Sequence, residues 1–384
     1  MKPFVLLWLA GACLRITLLA IPPVIPQIHD AFAMSQAAIA ALASLPVLLF
    51  AFAAIPGALL VARFGPVRVV TLGLFVTALA GALRGASIDA ATLFATTFAM
   101  GIGIAIMQPA LPAVVRDWVP QRIALGTATY SNGLLVGEAI SASLTIPYVL
   151  PAVHGDWRWS LAVWSLPVLV VAFLYVPRSL GAKRGAAPAA GSRRWWPDWS
   201  DRLTWAVGVL AGYASALYYA VNAFLPDYLA ARGRPDLLNA CLSALNWLQL
   251  PASFLMLAYG GRLTLRRWPF VALGALSLVA LTGLLTMADA WLVAWSGVIG
   301  FCNAFLLILT LALPPLLSRQ EDVHRLAAAM LLVGYGCAFA IPIVGGHAWD
   351  ATGSPRAAFM PLIAFGMLSL GVAARTSFRR GGAQ

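Results

Sequence analysis

Apolar residues run along this chain in blocks of twenty or so, and most charged residues cluster in the stretches between them. The blocks lie at 4–28, 36–62, 67–86, 91–115, 123–150, 159–176, 204–230, 238–260, 267–288, 291–317, 325–348 and 357–375. A helix of about 20 residues crosses the roughly 30 Å hydrocarbon core of a bilayer, so each block is long enough to span it. Proline and glycine within the blocks do not veto helices, because membrane bundles satisfy the freed backbone groups through neighbours. The pattern predicts an all-α membrane protein of twelve transmembrane helices.

The longest polar stretch lies midway, from Arg178 to Arg202. It reads as a flexible linker, which divides the chain into an N-terminal half at 1–177, a linker at 178–203 and a C-terminal half at 204–384. The halves echo each other at an offset near 200 residues. Ala110-Leu111-Pro112 recurs as Ala312-Leu313-Pro314, Pro26-Gln27 corresponds to Pro226-Asp227, and Arg68 has a counterpart in Arg266. Repetition with matching topology predicts two pseudo-symmetric six-helix halves, the parallel-repeat arrangement of major facilitator transporters.

Charge adds orientation. Of 25 basic residues, Lys2, Arg63, Arg68, Arg116, Arg122, Arg178, the linker cluster and the C-terminal arginines fall on one side of the alternating loops. Only Arg84, Arg158, Arg232, Arg234 and Arg356 fall on the other, and Arg15 lies inside a span. Basic loops stay cytoplasmic, so both termini are expected inside a bacterial cytoplasmic (inner) membrane. The net charge of +12 then reflects contact with anionic lipid heads rather than nucleic acid, since no basic soluble domain is present. Ala31-Phe32-Ala33 mimics a signal-peptidase site, but the preceding apolar block is too long and carries Arg15, so no cleavage is expected. Cys13, Cys241, Cys302 and Cys337 sit in apolar blocks and read as buried thiols. The four histidines have no metal-ligand spacing, and no phosphate loop or catalytic triad is visible. No enzyme activity, metal or cofactor is expected.

Function should therefore reside in the few polar groups within the spans. Arg15 stands mid-span with no acidic residue closer than Asp30. A charge at bilayer depth is costly, and such residues face a bundle interior or a water-filled path. Glu138 is the one acidic residue well inside a block, and Thr127, Ser131, Leu134, Glu138, Ser141 and Thr145 follow at steps of three and four, on one helix face. Glu138 reads as the counter-ion of Arg15, as a protonatable coupling group, or as a structural hydrogen-bonding group. Gln108, Tyr218, Asn222 and Asn246 are candidate contacts for a small polar solute, against the plainer reading of interhelical hydrogen bonds. Asn246 belongs to a stripe with Asn239, Ser243, Gln249 and Ser253. Arg84 reads either as an anion-attracting group near the outer face or as a lipid-facing arginine. Pro22, Pro23 and Pro26 should bend or end the first span near its outer end.

Two patterns carry a family resemblance. Gly57 to Arg68 is similar to the loop between spans two and three of the major facilitator superfamily, with Arg63, Gly65 and Arg68 in place and Ala62 at the usual acidic position. The run Leu14-Arg15-Ile16 through Pro22-Pro23-Val24-Ile25-Pro26-Gln27-Ile28 resembles span one of its cyanate/nitroimidazole (cyanate permease-like) branch. Leu83-Arg84, Gly101, Gly103, Gln108 and Pro112, and Gly212-Tyr213-Ala214-Ser215 fit the same branch, with Ile16, Pro22 and Ala105 departing from it. The resemblance implies an alternating-access importer of a small anion or compact polar solute, cyanate-like in chemistry. Arg63, Gly65 and Arg68 would then form a cytoplasmic gating loop. Protons are a candidate coupling ion, and a monomer is expected. An exporter of toxic or drug-like compounds on the same fold is the alternative. Against it, Gly133 to Glu138 lacks the Gly-Pro motif that such antiporters often carry in span five.

Overall fold

The computed structural model describes residues 2–181, 197–318, 323–376 and 378. The middle of the expected linker, with Lys183, Arg184, Arg193, Arg194, Trp195 and Trp196, lies outside the described residues, as does the 319–322 loop. In chain order the helices are α1 (Pro3–Cys13), α2 (Ile25–Phe32), α3 (Gln36–Phe64), α4 (Pro66–Leu83), α5 (Ala90–Trp118), α6 (Ile123–Leu144), α7 (Leu150–Ala152), α8 (Trp157–Val163) and α9 (Ser165–Leu180). They continue as α10 (Arg202–Ala231), α11 (Leu238–Trp247), α12 (Gln249–Leu263), α13 (Arg267–Thr286), α14 (Ala290–Leu311), α15 (Leu313–Leu317), α16 (Val323–Thr352) and α17 (Met360–Arg375). Nine helical stretches among the described residues are long and apolar enough to cross a membrane, and Pro3–Cys13 and Gln36–Phe52 are shorter apolar helices. With the broken spans counted whole, these elements match the twelve apolar blocks.

Several spans are interrupted, each for a local reason. The first block, expected as one helix bent near its outer end, breaks earlier. Helix α1 stops at Cys13, turns follow, and a 3₁₀ turn at Pro22–Val24 leads into α2. Pro22, Pro23 and Pro26 have no N–H, so the carbonyls of Leu18, Leu19 and Pro22 lose their usual helical donors. The eighth block also divides, at Leu248, because Pro251 removes the donor due to the Trp247 carbonyl. The fifth block ends in a π-helical turn at Thr145–Val149.

The chain forms two compact units. One comprises Met1–Met34 and Leu45–Gly191, the other Ser35–Ser44 and Ser192–Gln384. In the first unit α1 packs along α6, and α4 packs between α5 and α9. In the second, α10 is central and contacts α14, α16 and α17; 94% of its best span window is buried. By contrast Phe98, Ile102, Val170, Phe173, Val279, Met367 and Leu368 are exposed, as expected for helix faces meeting lipid rather than water. The first turn of α3 is tied into the second unit. The Gln36 and Ala37 N–H groups donate to the Asp350 carboxylate at 2.9 and 3.0 Å, and the Gln36 side-chain amide donates to Asp227 at 2.8 Å. A carboxylate there satisfies orphan donors and complements the positive end of the helix dipole.

Candidate functional site

Glycine brings the two buried charges of the first unit together. Helices α1 and α6 cross backbone to backbone. A methyl group on Gly133 would overlap the Trp8 carbonyl, one on Gly137 the Ala12 carbonyl, and one on Gly11 the Tyr130 carbonyl. Gly133 and Gly137 stand four apart on one face, the small-xxx-small spacing that lets membrane helices touch. Arg15 follows Ala12 by three residues and Glu138 follows Gly137 by one, so the close crossing puts their side chains within reach. Arg15 Nε lies 3.3 Å from Glu138 Oε1, with both side chains almost fully buried. The guanidinium also lies over the Phe50 ring, 5.3 Å from its centroid. Removing two charges from water is expensive, and a buried pair is sustained only while each keeps its partner.

Arg15 sits within the break of the first span, where backbone hydrogen bonding is irregular. Its carbonyl accepts from both Leu18 and Leu19, at 3.1 and 3.0 Å. Arg84 steadies the same segment. It is fully buried rather than lipid-facing. Its Nη2 donates to the Thr17 carbonyl at 2.9 Å and its Nε to the Gly81 carbonyl at 3.4 Å. The guanidinium thus serves carbonyls near the C-terminal ends of two helical segments, where the backbone dipole favours positive charge.

The second unit holds the polar side chains of α10 and α11. Tyr218 donates its hydroxyl to Asn246 Oδ1 at 2.7 Å, and the Asn222 amide donates to the Tyr218 carbonyl at 2.9 Å. Tyr218, Asn222, Asn246 and Gln249 are all buried. Gln249 Nε2 approaches Asn246 Oδ1 at 3.4 Å across the break at Leu248. Tyr218 and Tyr219 meet edge to face at 5.2 Å. Close helix approach recurs here, because a methyl group on Gly300 of α14 would overlap the Leu245 carbonyl beside Asn246. Among the described residues, Asn222 Oδ1 and Asn303 Oδ1 are buried with no hydrogen-bond donor.

The remaining predicted residues lie elsewhere. Gln108 is half-buried on α5. Arg63 is exposed at the end of α3 with its guanidinium 5.3 Å from the Phe64 ring centroid. Gly65 adopts φ 85°, a left-handed conformation suited to glycine, and forms the N-cap of α4. Arg68 Nε donates to the Ser179 carbonyl at 3.3 Å. Sequence reasoning did not find Phe50, Gln36, Asp227 or Asp350. Phe50 carries no signal among so many apolar residues, and the Asp350 contact joins positions more than 300 residues apart.

Similarity to known proteins decides the family. The Major Facilitator Superfamily family model matches residues 7–247, more than half of the chain. The chain belongs to the Major Facilitator Superfamily. Among curated members it is 28% identical to an uncharacterized transporter, YycB, of Bacillus subtilis over 91% of this chain and 87% of that protein. It is 28% identical to the cyanate transport protein CynX of Escherichia coli over 79% of each chain. It is 26% identical to the 2-nitroimidazole transporter of the same organism, over 93% and 90%. The fold matches that of a D-xylose–proton symporter at TM-score 0.72 and 14% identity, covering 98% of each chain. A bacterial homolog of the lysosomal transporter Spinster, in an inward-facing and occupied conformation, matches at TM-score 0.74 and 14% identity over 97% and 94%. This superfamily member is therefore a multi-pass membrane transporter and not an enzyme.

Proposed function

We propose that this transporter imports a small anion or compact polar solute by alternating access, with cyanate-like chemistry the first class to test. The observation that carries the reading is the Arg15–Glu138 pair, two almost fully buried charges 3.3 Å apart, the arginine in the broken first span and the glutamate on α6. With the site empty, Glu138 neutralises Arg15. An anionic substrate offers the guanidinium a replacement partner, so binding and release of the carboxylate become one exchange. Glu138 protonation is the route by which the exchange would couple to a proton gradient. Within the same unit Gln108 is the candidate hydrogen-bonding group for the polar remainder of the solute, and Tyr218, Asn222 and Asn246 are the polar candidates of the second unit. Arg63, Gly65 and Arg68 form the cytoplasmic gating loop. The sorting of basic residues supports cytoplasmic termini in a bacterial inner membrane, and the transporter acts as a monomer. Similarity to proteins described as transporting cyanate and 2-nitroimidazole supports the solute class.

Uptake of labelled cyanate into proteoliposomes tests the reading. Arg15→Ala is expected to lose uptake while remaining folded, and transport at the wild-type rate would refute a central role for the charge. Glu138→Gln is expected to bind substrate yet lose accumulation driven by an imposed pH gradient. Accumulation that survives the substitution would remove Glu138 as the proton carrier.

A further inference from the structure

The polar end of α10 and the last turns of α17 form a feature that solute binding does not use. A cleft of about 800 Å³ runs between them, lined by Arg202, Trp205, Val209, Met367, Gly371 and Arg375 among others. On α10, Arg202, Trp205 and Val209 recur at steps of three and four, and on α17, Met367, Gly371 and Arg375 recur at steps of four, so each set shares one helix face. The helices run antiparallel, because α10 begins with Arg202 and α17 ends with Arg375 at the same end of the cleft. Both arginines are exposed. Beyond them the walls are apolar for some eight residues, a length of about 12 Å. Gly371 leaves that wall open, since a methyl group placed there would meet nothing within 4 Å. Trp205 donates its indole N–H to the Trp199 carbonyl at 2.9 Å, and the two rings lie 5.5 Å apart, a tryptophan pair of the kind that marks the level of lipid headgroups.

We infer that this cleft binds one anionic phospholipid, with its phosphate between Arg202 and Arg375 and an acyl chain along the apolar wall past Gly371. Charge complementarity selects the occupant. Two cations at one end of an otherwise apolar, membrane-embedded groove match a molecule with an anionic head and an aliphatic tail, and basic recesses between membrane helices hold such lipids. A second copy of the chain would bring the same two arginines to the groove and meet them with like charge.

The test uses the full chain, purified in detergent and stripped of lipid. Phosphatidylglycerol and phosphatidylcholine are added in turn, with thermal unfolding and native mass spectrometry as readouts. Phosphatidylglycerol at about ten times its dissociation constant is expected to raise the melting temperature saturably by about 2–4 °C and to leave a one-lipid adduct. Phosphatidylcholine is expected to do neither. The Arg202→Gln/Arg375→Gln pair should abolish the preference for the anionic lipid. Gly371→Leu, whose Cβ would meet nothing within 4 Å, places an apolar side chain on the groove wall and should abolish the adduct with both arginines intact. An equal response to the two lipids, or an adduct that persists in both variants, would overturn the assignment. Protection by glycerol phosphate alone would reassign the groove to a free anion. A lipid-free dimer lost on Gly371→Leu would reassign it to a second copy. None of these outcomes depends on which solute Arg15 binds.

Discussion

At the residue scale, Arg15 and Glu138 make a claim about stability distinct from their proposed part in transport. Each is almost fully buried and faces the other at 3.3 Å. Removing one partner strands the other, which costs about 3–5 kcal/mol for buried pairs, whereas replacing both with apolar residues is close to neutral or stabilising. Arg15→Met and Glu138→Met should each lower the melting temperature, and the double variant should regain most of the loss. Uptake should stay absent in the double variant. Simple additivity of the two singles would show that they are not energetically paired. Both residues stood out in the sequence, since each is the one residue of its charge deep within an apolar block, and pairing was one of three readings open for Glu138. Arg84 was not legible in the same way. Its place at the end of a span suited the surface, and its burial goes with the bond it donates to the Thr17 carbonyl of the broken segment.

Asp89 offers a second residue-scale test, outside the spans. It caps α5, accepting from the Thr92 N–H at 2.8 Å within a capping box. Those bonds from the Thr92 backbone and hydroxyl hold its carboxyl below the usual range. A carboxylate with a depressed folded pKa contributes stability above its unfolded value, and that contribution is lost as pH falls through the folded value. Wild type should therefore exceed Asp89→Ala in melting temperature at neutral pH. The gap should narrow below about pH 4, where carboxylates ordinarily protonate. A gap that stays constant down to the acid limit would show that the charged form is not what caps the helix.

At the element scale, the crossing of α1 and α6 places the pair and is the more sensitive target. Gly137→Val would push a side chain into the Ala12 backbone carbonyl, which cannot retreat without moving α1. Lost uptake with reduced thermal stability is expected. Gly336→Ala is the control, since a methyl group there meets nothing. It should leave uptake intact and stabilise α16 by up to about 1 kcal/mol through helix propensity. Equal effects from the two substitutions would mean that the crossing has no special role. Helix count followed from block length alone. The breaks followed less readily, because a proline marks only where a donor is missing. Whether the helix ends there depends on what serves the orphaned carbonyl. In the first span a guanidinium from another helix serves the neighbouring Thr17 carbonyl, and no local pattern announces it.

At the scale of the whole molecule, the capture of the start of α3 by Asp350 and Asp227 was not visible in the sequence. Contacts across such separations leave no trace in periodicity. Helix α10 illustrates a different whole-chain property. It is the most enclosed of the nine spans, 94% buried, and the least hydropathic, at 1.3. Its tyrosines, Asn222 and Asp227 suit protein neighbours rather than acyl chains. A nascent chain emerges before those neighbours exist, so α10 must pass the translocon as a poor membrane segment. Expressed as an isolated test segment between glycosylation reporters, it should insert inefficiently, and lengthening that segment through α14 and α16 should raise insertion. Efficient insertion alone would refute the dependence. The enclosure of one helix by others made later thus implies an order of assembly, in which the core of the second unit is the last part of it to settle in the bilayer.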